Sequence, residues 1–269
     1  MLISSLANPS VKQLRSLHAH KGRTASSLFL AEGPHLVEEA LAAEAAIPFC
    51  LLSDEWPGKW QLAGKAADRH VPCYFGTARV MQHVATTESA CQAVAAVAMW
   101  SVDVARLRLP HPPLVAMLHG IQDPGNLGTI IRTAAAADAS AVVTSGPCAD
   151  FFNPKVVRAT AGALFRIPLA RAEDPAQFLS DCARHGSHAF AAVAQGGVSH
   201  RALNYRDGAI FVFGSEAHGL PSDVLRACQD QVTVQMAPGV DSLNVAVCAA
   251  ILLFEARAQI TALPAATGV

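Results

Sequence analysis

Short apolar runs recur along the chain at residues 28–31, 48–53, 72–75, 92–99, 114–118, 141–144, 164–169, 188–194 and 209–213, with a β-branched run beginning at Val232. Each is strand-length and most are bounded on at least one side by Gly, Pro, Asp, Asn or Ser, which predicts strands. Segments with helical character separate them: 8–20, 35–43, 60–70, 77–84, 127–138, a helix opening at Asn153-Pro154, 175–185 and the apolar run after Asn244. Proline at the first turn after a capping Asn supports the starts at Asn8-Pro9 and Asn153-Pro154. Strand and helix alternating in this way predict an α/β protein. Residues 106–113 hold three prolines and two arginines between apolar runs and read as a linker. This predicts a first domain over 1–105 and a second over 114–269, with 262–269 as a frayed tail.

Two strand-end loops stand out in the second domain. The run 209–213 ends in Gly214-Ser215-Glu216-Ala217-His218-Gly219, and the strand at Val232 ends in Pro238-Gly239 before Ser242-Leu243-Asn244. Ser242 is the expected N-cap of the final helix, with Asn244 just inside it. Loops of this kind at the carboxyl edge of a sheet are where α/β proteins hold ligands.

Composition narrows the classes. The chain has 269 residues, 52% of them hydrophobic and 15% charged, which suits packed cores and not a disordered chain. No apolar run reaches the length that spans a bilayer, and Met1-Leu2-Ile3-Ser4-Ser5 lacks the basic and apolar regions of a secretory signal. Seven cysteines without a C-x-x-C pair fit a reducing, cytoplasmic setting and no structural zinc. His185 and His188 have no accompanying carboxylate or cysteine pattern, so no metal site is expected. Net charge is −1, so a nucleic-acid surface must come from local clusters. The densest holds Lys12, Arg15, Lys21 and Arg23; Lys155 and Arg158, three apart, share a helix face.

Three motifs carry a resemblance. Asp123-Pro124-Gly125-Asn126-Leu127-Gly128, with Arg132 following, then Gly214-Ser215-Glu216, then Ser242-Leu243-Asn244-Val245, resemble in order and spacing the three motifs of the SpoU/TrmH family of RNA 2′-O-ribose methyltransferases. The segments at Asn8-Pro9, Phe29–Gly33 (29–33) and Glu39-Ala40-Leu41 resemble the small RNA-recognition domain found in many members, itself similar to ribosomal proteins.

The resemblance implies a C-terminal parallel-sheet α/β domain tied in a deep trefoil knot, S-adenosyl-L-methionine as methyl donor, and a homodimer through the catalytic domain. It assigns the reacting centre to Asn126, Arg132, Glu216, Ser242 and Asn244, and the donor to Phe213, Gly214, Met236, Leu243 and Asn244. Arg132 stays protonated because guanidinium has a pKa above about 12, so it is expected to anchor a phosphate and not to act as a base. Structured RNA is the expected partner, ribosomal before transfer RNA. Lys12, Arg15, Lys21, Arg23, Lys155 and Arg158 are expected on its backbone. A catalytically silent RNA-binding protein on the same fold is the alternative. A phosphate-binding enzyme using 123–128 is a third reading, although no Walker lysine follows that loop.

Overall fold

In chain order the elements begin β1 (Leu2–Ile3), α1 (Pro9–Ser16), α2 (His20–Ser26), β2 (Leu28–Glu32), α3 (Pro34–Ala42), β3 (Phe49–Ser53), α4 (Lys59–Asp68), β4 (Cys73–Gly76), α5 (Ala78–Val84) and β5 (Ala93–Ala98). They continue as β6 (Leu114–His119), α6 (Pro124–Ala136), β7 (Ala141–Ser145), α7 (Pro154–Ala159), β8 (Leu169–Ala172), α8 (Pro175–Arg184), β9 (Ala189–Ala192), β10 (Val198–Ser199), β11 (Ala209–Phe213), α9 (Ser222–Ala227), β12 (Asp230–Thr233) and α10 (Val245–Thr261). The structure, a computed structural model, describes residues 1–262; the tail expected at 262–269 lies, from 263 onward, outside the described residues. The chain divides into one unit of residues 1–100 with 150–166 and a second of 101–149 with 167 onward.

The first unit is built on a five-stranded sheet in the order β1-β4-β3-β5-β2, with β5 antiparallel to both neighbours. A central position explains why β5 is apolar throughout, Ala-Val-Ala-Ala-Val-Ala, with its first five residues buried. The helix expected over 8–20 is two helices. Asn8 caps α1 by accepting from Ser10 N at 2.9 Å, and the chain then extends at Ala19 (φ −98°, ψ 145°) before α2 begins. Arg23 explains the break: it donates to Leu17 O at 3.1 Å and His18 O at 3.2 Å, satisfying carbonyls at the end of α1.

Residues 150–166 were expected to belong to the second domain, yet they pack with the first unit. Phe152 lies 5.0 Å from the rings of both Phe29 and Trp100, α7 lies on β2, and Arg166 forks onto Glu39. Phe152, Val156, Val157 and Leu164 are buried, each contributing about 1.5–3 kcal/mol. Gly162 has φ +92°, and a Cβ there would lie 2.5 Å from Glu39, so only glycine fits. The strand expected at 164–169 is also corrected: a short 3₁₀ turn over Ala163–Phe165 precedes β8, whose alanines gave no strand signal.

The second unit holds a seven-stranded sheet in the order β10-β12-β9-β11-β6-β7-β8, parallel throughout. Strand order reverses between β6 and β11, which opens a crevice at their carboxyl ends. The segment expected as a linker lies along this unit. Asp103 bridges Arg171 beside β8, and Leu107 and Leu109 pack on the sheet's core. No helix among the described residues is long and apolar enough to cross a membrane.

Candidate active site

Three chain segments meet at that crevice. Asp123 caps α6, its Oδ1 accepting from Asn126 N at 2.7 Å, so the helix starts three residues before the expected Leu127 and Asn126 sits in its first turn. Glu216 lies on the loop after β11, which an isolated bridge between Ser215 and Gly219 closes on itself. Asn244 caps α10, its Oδ1 accepting from Ala246 N at 2.9 Å and Val247 N at 3.3 Å. The cap is therefore Asn244 and not Ser242, because helical geometry begins only at Val245.

The side chains of these three residues form one network. Asn126 Nδ2 donates to Glu216 Oε1 at 3.1 Å, and Asn244 Nδ2 donates to Asn126 Oδ1 at 3.0 Å and Glu216 Oε1 at 3.4 Å. Each amide oxygen accepts and each amide nitrogen donates, which fixes both amide orientations. The cluster fastens the start of α6, the β11 loop and the start of α10 at one point.

Two cavities flank Glu216. One, of about 470 Å³, is lined by Phe213, Gly214, Met236, Ser242 and Leu243, together with apolar side chains from β9, α9 and α10. That volume is in the range of about 300–1,000 Å³ typical of cofactor sites. The other, of about 440 Å³, is lined by His119, Asp123, Asn126, Glu216 and His218 among others. Ser215, Glu216, His218, Gly219 and Val245 line both. Among the described residues no Lys or Arg lines either, and Glu216 at the rim of the first, apolar-walled cavity gives it a local field that suits a cationic ligand. Cys248 lines the first cavity, where burial pushes its thiol up to about 11; at neutral pH it is protonated and a poor nucleophile.

Expected residues that lie elsewhere are equally informative. Arg132 is exposed on α6, six residues or about 9 Å of helix axis beyond Asn126, and lines neither cavity. At Gly214 a Cβ would fall 2.3 Å from Gly219 C and 2.4 Å from Gly219 O, so the chain's own loop requires glycine there. Arg23 is a correction: it is 2% exposed and paired with Asp150 Oδ2 at 2.7 Å, so it holds the first unit together and presents nothing to RNA. Arg158 donates to Thr86 Oγ1 at 2.6 Å with Glu32 3.6 Å away, which occupies one face of its guanidinium. Lys12, Arg15, Lys21 and Lys155 are exposed. His119 was missed by sequence reasoning, although its place at the last position of an apolar strand, directly before Gly120, was a usable signal.

A parallel α/β unit with a cofactor-sized cavity and an amide–carboxylate cluster at its switch crevice defines a ligand-binding enzyme domain. The SpoU rRNA Methylase family model matches residues 113–254, and an MRM3-like substrate binding domain model matches residues 8–96. The chain belongs to the SpoU family of RNA methyltransferases. It is 36% identical over 96% of its length to an uncharacterized tRNA/rRNA methyltransferase of Synechocystis, covering 93% of that protein. It is 33% identical over 95% of its length to the Bacillus subtilis 23S rRNA (guanosine(2553)-2′-O)-methyltransferase RlmP, covering 98% of that protein. The crystal structure of an AdoMet-bound rRNA methyltransferase from Sinorhizobium meliloti superposes with a TM-score of 0.85 at 31% identity, over 97% of this chain and 99% of that one.

Proposed function

We propose that this protein transfers a methyl group from S-adenosyl-L-methionine to a ribose 2′-hydroxyl of ribosomal RNA. The observation that carries the proposal is the Asn126–Glu216–Asn244 network, set between a cofactor-sized apolar cavity and a second, more polar one. The donor fits the first cavity: apolar walls suit its adenosyl group, and Glu216 at the rim suits its positive charge. When bound there, it supplies an electrophilic methyl group.

The chain's own residues do the rest. Phe213, Met236 and Leu243 exclude water from the donor cavity, and Ser242 at its mouth offers a hydroxyl. Asn126 and Asn244 hold Glu216 in one position, which orients both cavities around a shared wall. Arg132, exposed and unpaired among the described residues, anchors a phosphate of the target strand. The chain between β12 and α10 is threaded as the deep trefoil knot of relatives. Residues 1–105 act as the RNA reader through Lys12, Arg15 and Lys21, joined by Lys155 of α7, which belongs to the same unit, on the backbone of a structured RNA. Two copies pair through the catalytic domain, using the apolar outer face of α10, where Val247 and Phe254 are 49% and 50% exposed. The setting is the cytoplasm.

Isothermal calorimetry on the full chain tests the donor assignment. Saturable binding of S-adenosyl-L-methionine, competed by S-adenosylhomocysteine and weakened by Leu243→Glu, is the expected result. Folded protein that binds neither compound overturns it.

A further inference from the structure

The proposed reaction releases a proton from the ribose hydroxyl, and the Asn126–Glu216–Asn244 network leaves only Glu216 Oε2 without a partner among the described residues, a carboxylate being a weaker base than an imidazole. Glu216 Oε1 already receives two N–H groups, Asn126 and Asn244 are amides, and Arg132 remains protonated. The cavity beside Glu216 is lined by two imidazoles, and among the described residues only the ring of His119 is held by a hydrogen bond, His218 being exposed on the loop. His119 is the last residue of β6, one position beyond the Leu118–Phe213 register pair and thus level with Gly214, the residue directly after β11. On its other side it pairs in register with Ser145 of β7. The donor-side wall, the imidazole and the serine therefore stand in a row across three adjacent strands at the carboxyl edge.

The imidazole is also oriented. Its Nδ1 lies 3.0 Å from the Oγ of Ser145, a fully buried residue, and a Cβ at Gly146 would fall 2.9 Å from the ring's Cε1. Any side chain at position 146 would displace the ring, and the +63° φ there independently favours glycine. Nε2 has no hydrogen-bond partner among the described residues, and the ring lines the same cavity as Asn126 and Glu216. Next door, Gly120 approaches Ser215: a Cβ on Gly120 would lie 3.6 Å from Ser215 Cβ, so the strand end carrying His119 abuts the loop carrying Glu216.

We propose that the cavity lined by His119, Asn126 and Glu216 receives the target nucleotide and that His119 Nε2 accepts the proton of its 2′-hydroxyl. This inference rests on the methyl-transfer reading above. With Ser145 Oγ accepting from Nδ1–H, the lone pair sits on Nε2. The hydroxyl O–H bond breaks and its proton forms N–H at Nε2. The oxygen's electron pair forms the bond to the methyl carbon while the sulfonium S–CH₃ bond breaks and leaves its pair on sulfur. One positive charge is lost at sulfur and one gained on the imidazole, so charge balances, and the imidazolium then returns its proton to solvent.

The electrostatic surroundings suit a base that is neutral at rest. Burial holds the His119 pKa below the usual imidazole value, and the Asp223 carboxylate pulls it partly back. The other charged or titratable groups nearby are Asp123, Glu216 and His218 along the cavity, Arg171, which donates to Gly146 O at 3.2 Å, and Cys148, whose Sγ donates to Ser145 O at 3.2 Å and whose thiol burial pushes up. The acidic groups also favour the imidazolium formed in the step.

The test uses the full chain, tritiated S-adenosyl-L-methionine and total RNA from cells lacking the protein. His119→Gln is expected to lower the single-turnover methylation rate by at least about a hundredfold, the lower end for a general base, with little change in the RNA concentration at half-saturation. The wild-type rate is expected to fall as pH drops through a value below 6.5, and this limb is expected to vanish in the variant. Independently of activity, NMR of ¹⁵N-histidine-labelled protein should show His119 as the Nδ1–H tautomer titrating at that same pH. A His119→Gln rate within about threefold of wild type, a limb that persists in the variant, or an Nε2–H tautomer overturns the proposal. Wild-type protein that methylates no RNA overturns the methyl-transfer reading itself, which separates the two failures.

Discussion

Asn244 does two jobs with two ends of one amide, and substitution separates them. Its oxygen caps α10 through Ala246 N and Val247 N, and its nitrogen donates to Asn126 and Glu216. Asn244→Ala removes both functions and should cost about 1 kcal/mol of stability for the lost cap, as well as activity. Asn244→Asp keeps an acceptor at the helix start, where the helix dipole favours negative charge by about 0.3–1 kcal/mol. It also places a second carboxylate where a donor stood 3.4 Å from Glu216 Oε1. At that separation like charges repel by about 1–5 kcal/mol across the range from bulk water to a protein surface. Glu216 is exposed on a loop, so the repulsion is relieved by swinging it outward, which opens the network without unfolding the helix. The aspartate variant should therefore unfold in urea near the wild-type midpoint yet lose at least about a hundredfold in methyl transfer. Adding Glu216→Gln restores one carboxylate between two amides and should recover part of that loss. An aspartate variant that turns over within about threefold of wild type, or that is as unstable as the alanine variant, refutes the reasoning.

Arg132→Ala should change stability by less than about 0.5 kcal/mol, because the side chain is exposed and unpaired among the described residues, but should slow methyl transfer at least about a hundredfold; Arg132→Lys should not restore it, which parallel melting and single-turnover assays check. Charge reversal at Lys12, Arg15 and Lys21 should leave folding intact and flatten the dependence of log RNA affinity on log salt by about 0.9 per lost duplex phosphate contact. Arg23→Met should do the reverse, lowering stability by about 3 kcal/mol with Asp150 left unpaired and 27% exposed, while the salt slope stays as in wild type. Phe254→Asp on the outer face of α10 should convert a dimer to monomers in sedimentation at micromolar concentration, and an unchanged sedimentation coefficient counts against pairing through that helix.

What the sequence revealed followed from how local the cause was. The bulky strand β11 was bounded at Ala209–Phe213 from its residues alone, since five apolar side chains leave no helical period. Strand β8 was displaced because Ala170 and Ala172 carry no strand preference and depend on pairing with β7. Ser242 and Asn244 are both good caps, and only the path of the loop decides between them. Arg23 looked like part of a basic surface because charge is visible in sequence and burial is not; its partner Asp150 lies far along the chain. Likewise, nothing local in Phe152-Asn153-Pro154 reveals that the segment packs with the first unit. This grouping has a practical consequence. Deleting residues 1–105 would strip the partners from Phe152, Val156 and Val157, so experiments on recognition are better made by substitution in the full chain.

Mass spectrometry of nucleosides tests the central claim most directly. Total RNA from cells lacking the protein is incubated with the full chain and S-adenosyl-L-methionine carrying a ¹³C-methyl group, then digested and fractionated into ribosomal and transfer RNA. The expected product is one ¹³C-labelled 2′-O-methylnucleoside in ribosomal RNA, absent when Asn244→Asp replaces wild type. Label on a base, or no label in RNA from a donor-binding protein, contradicts it.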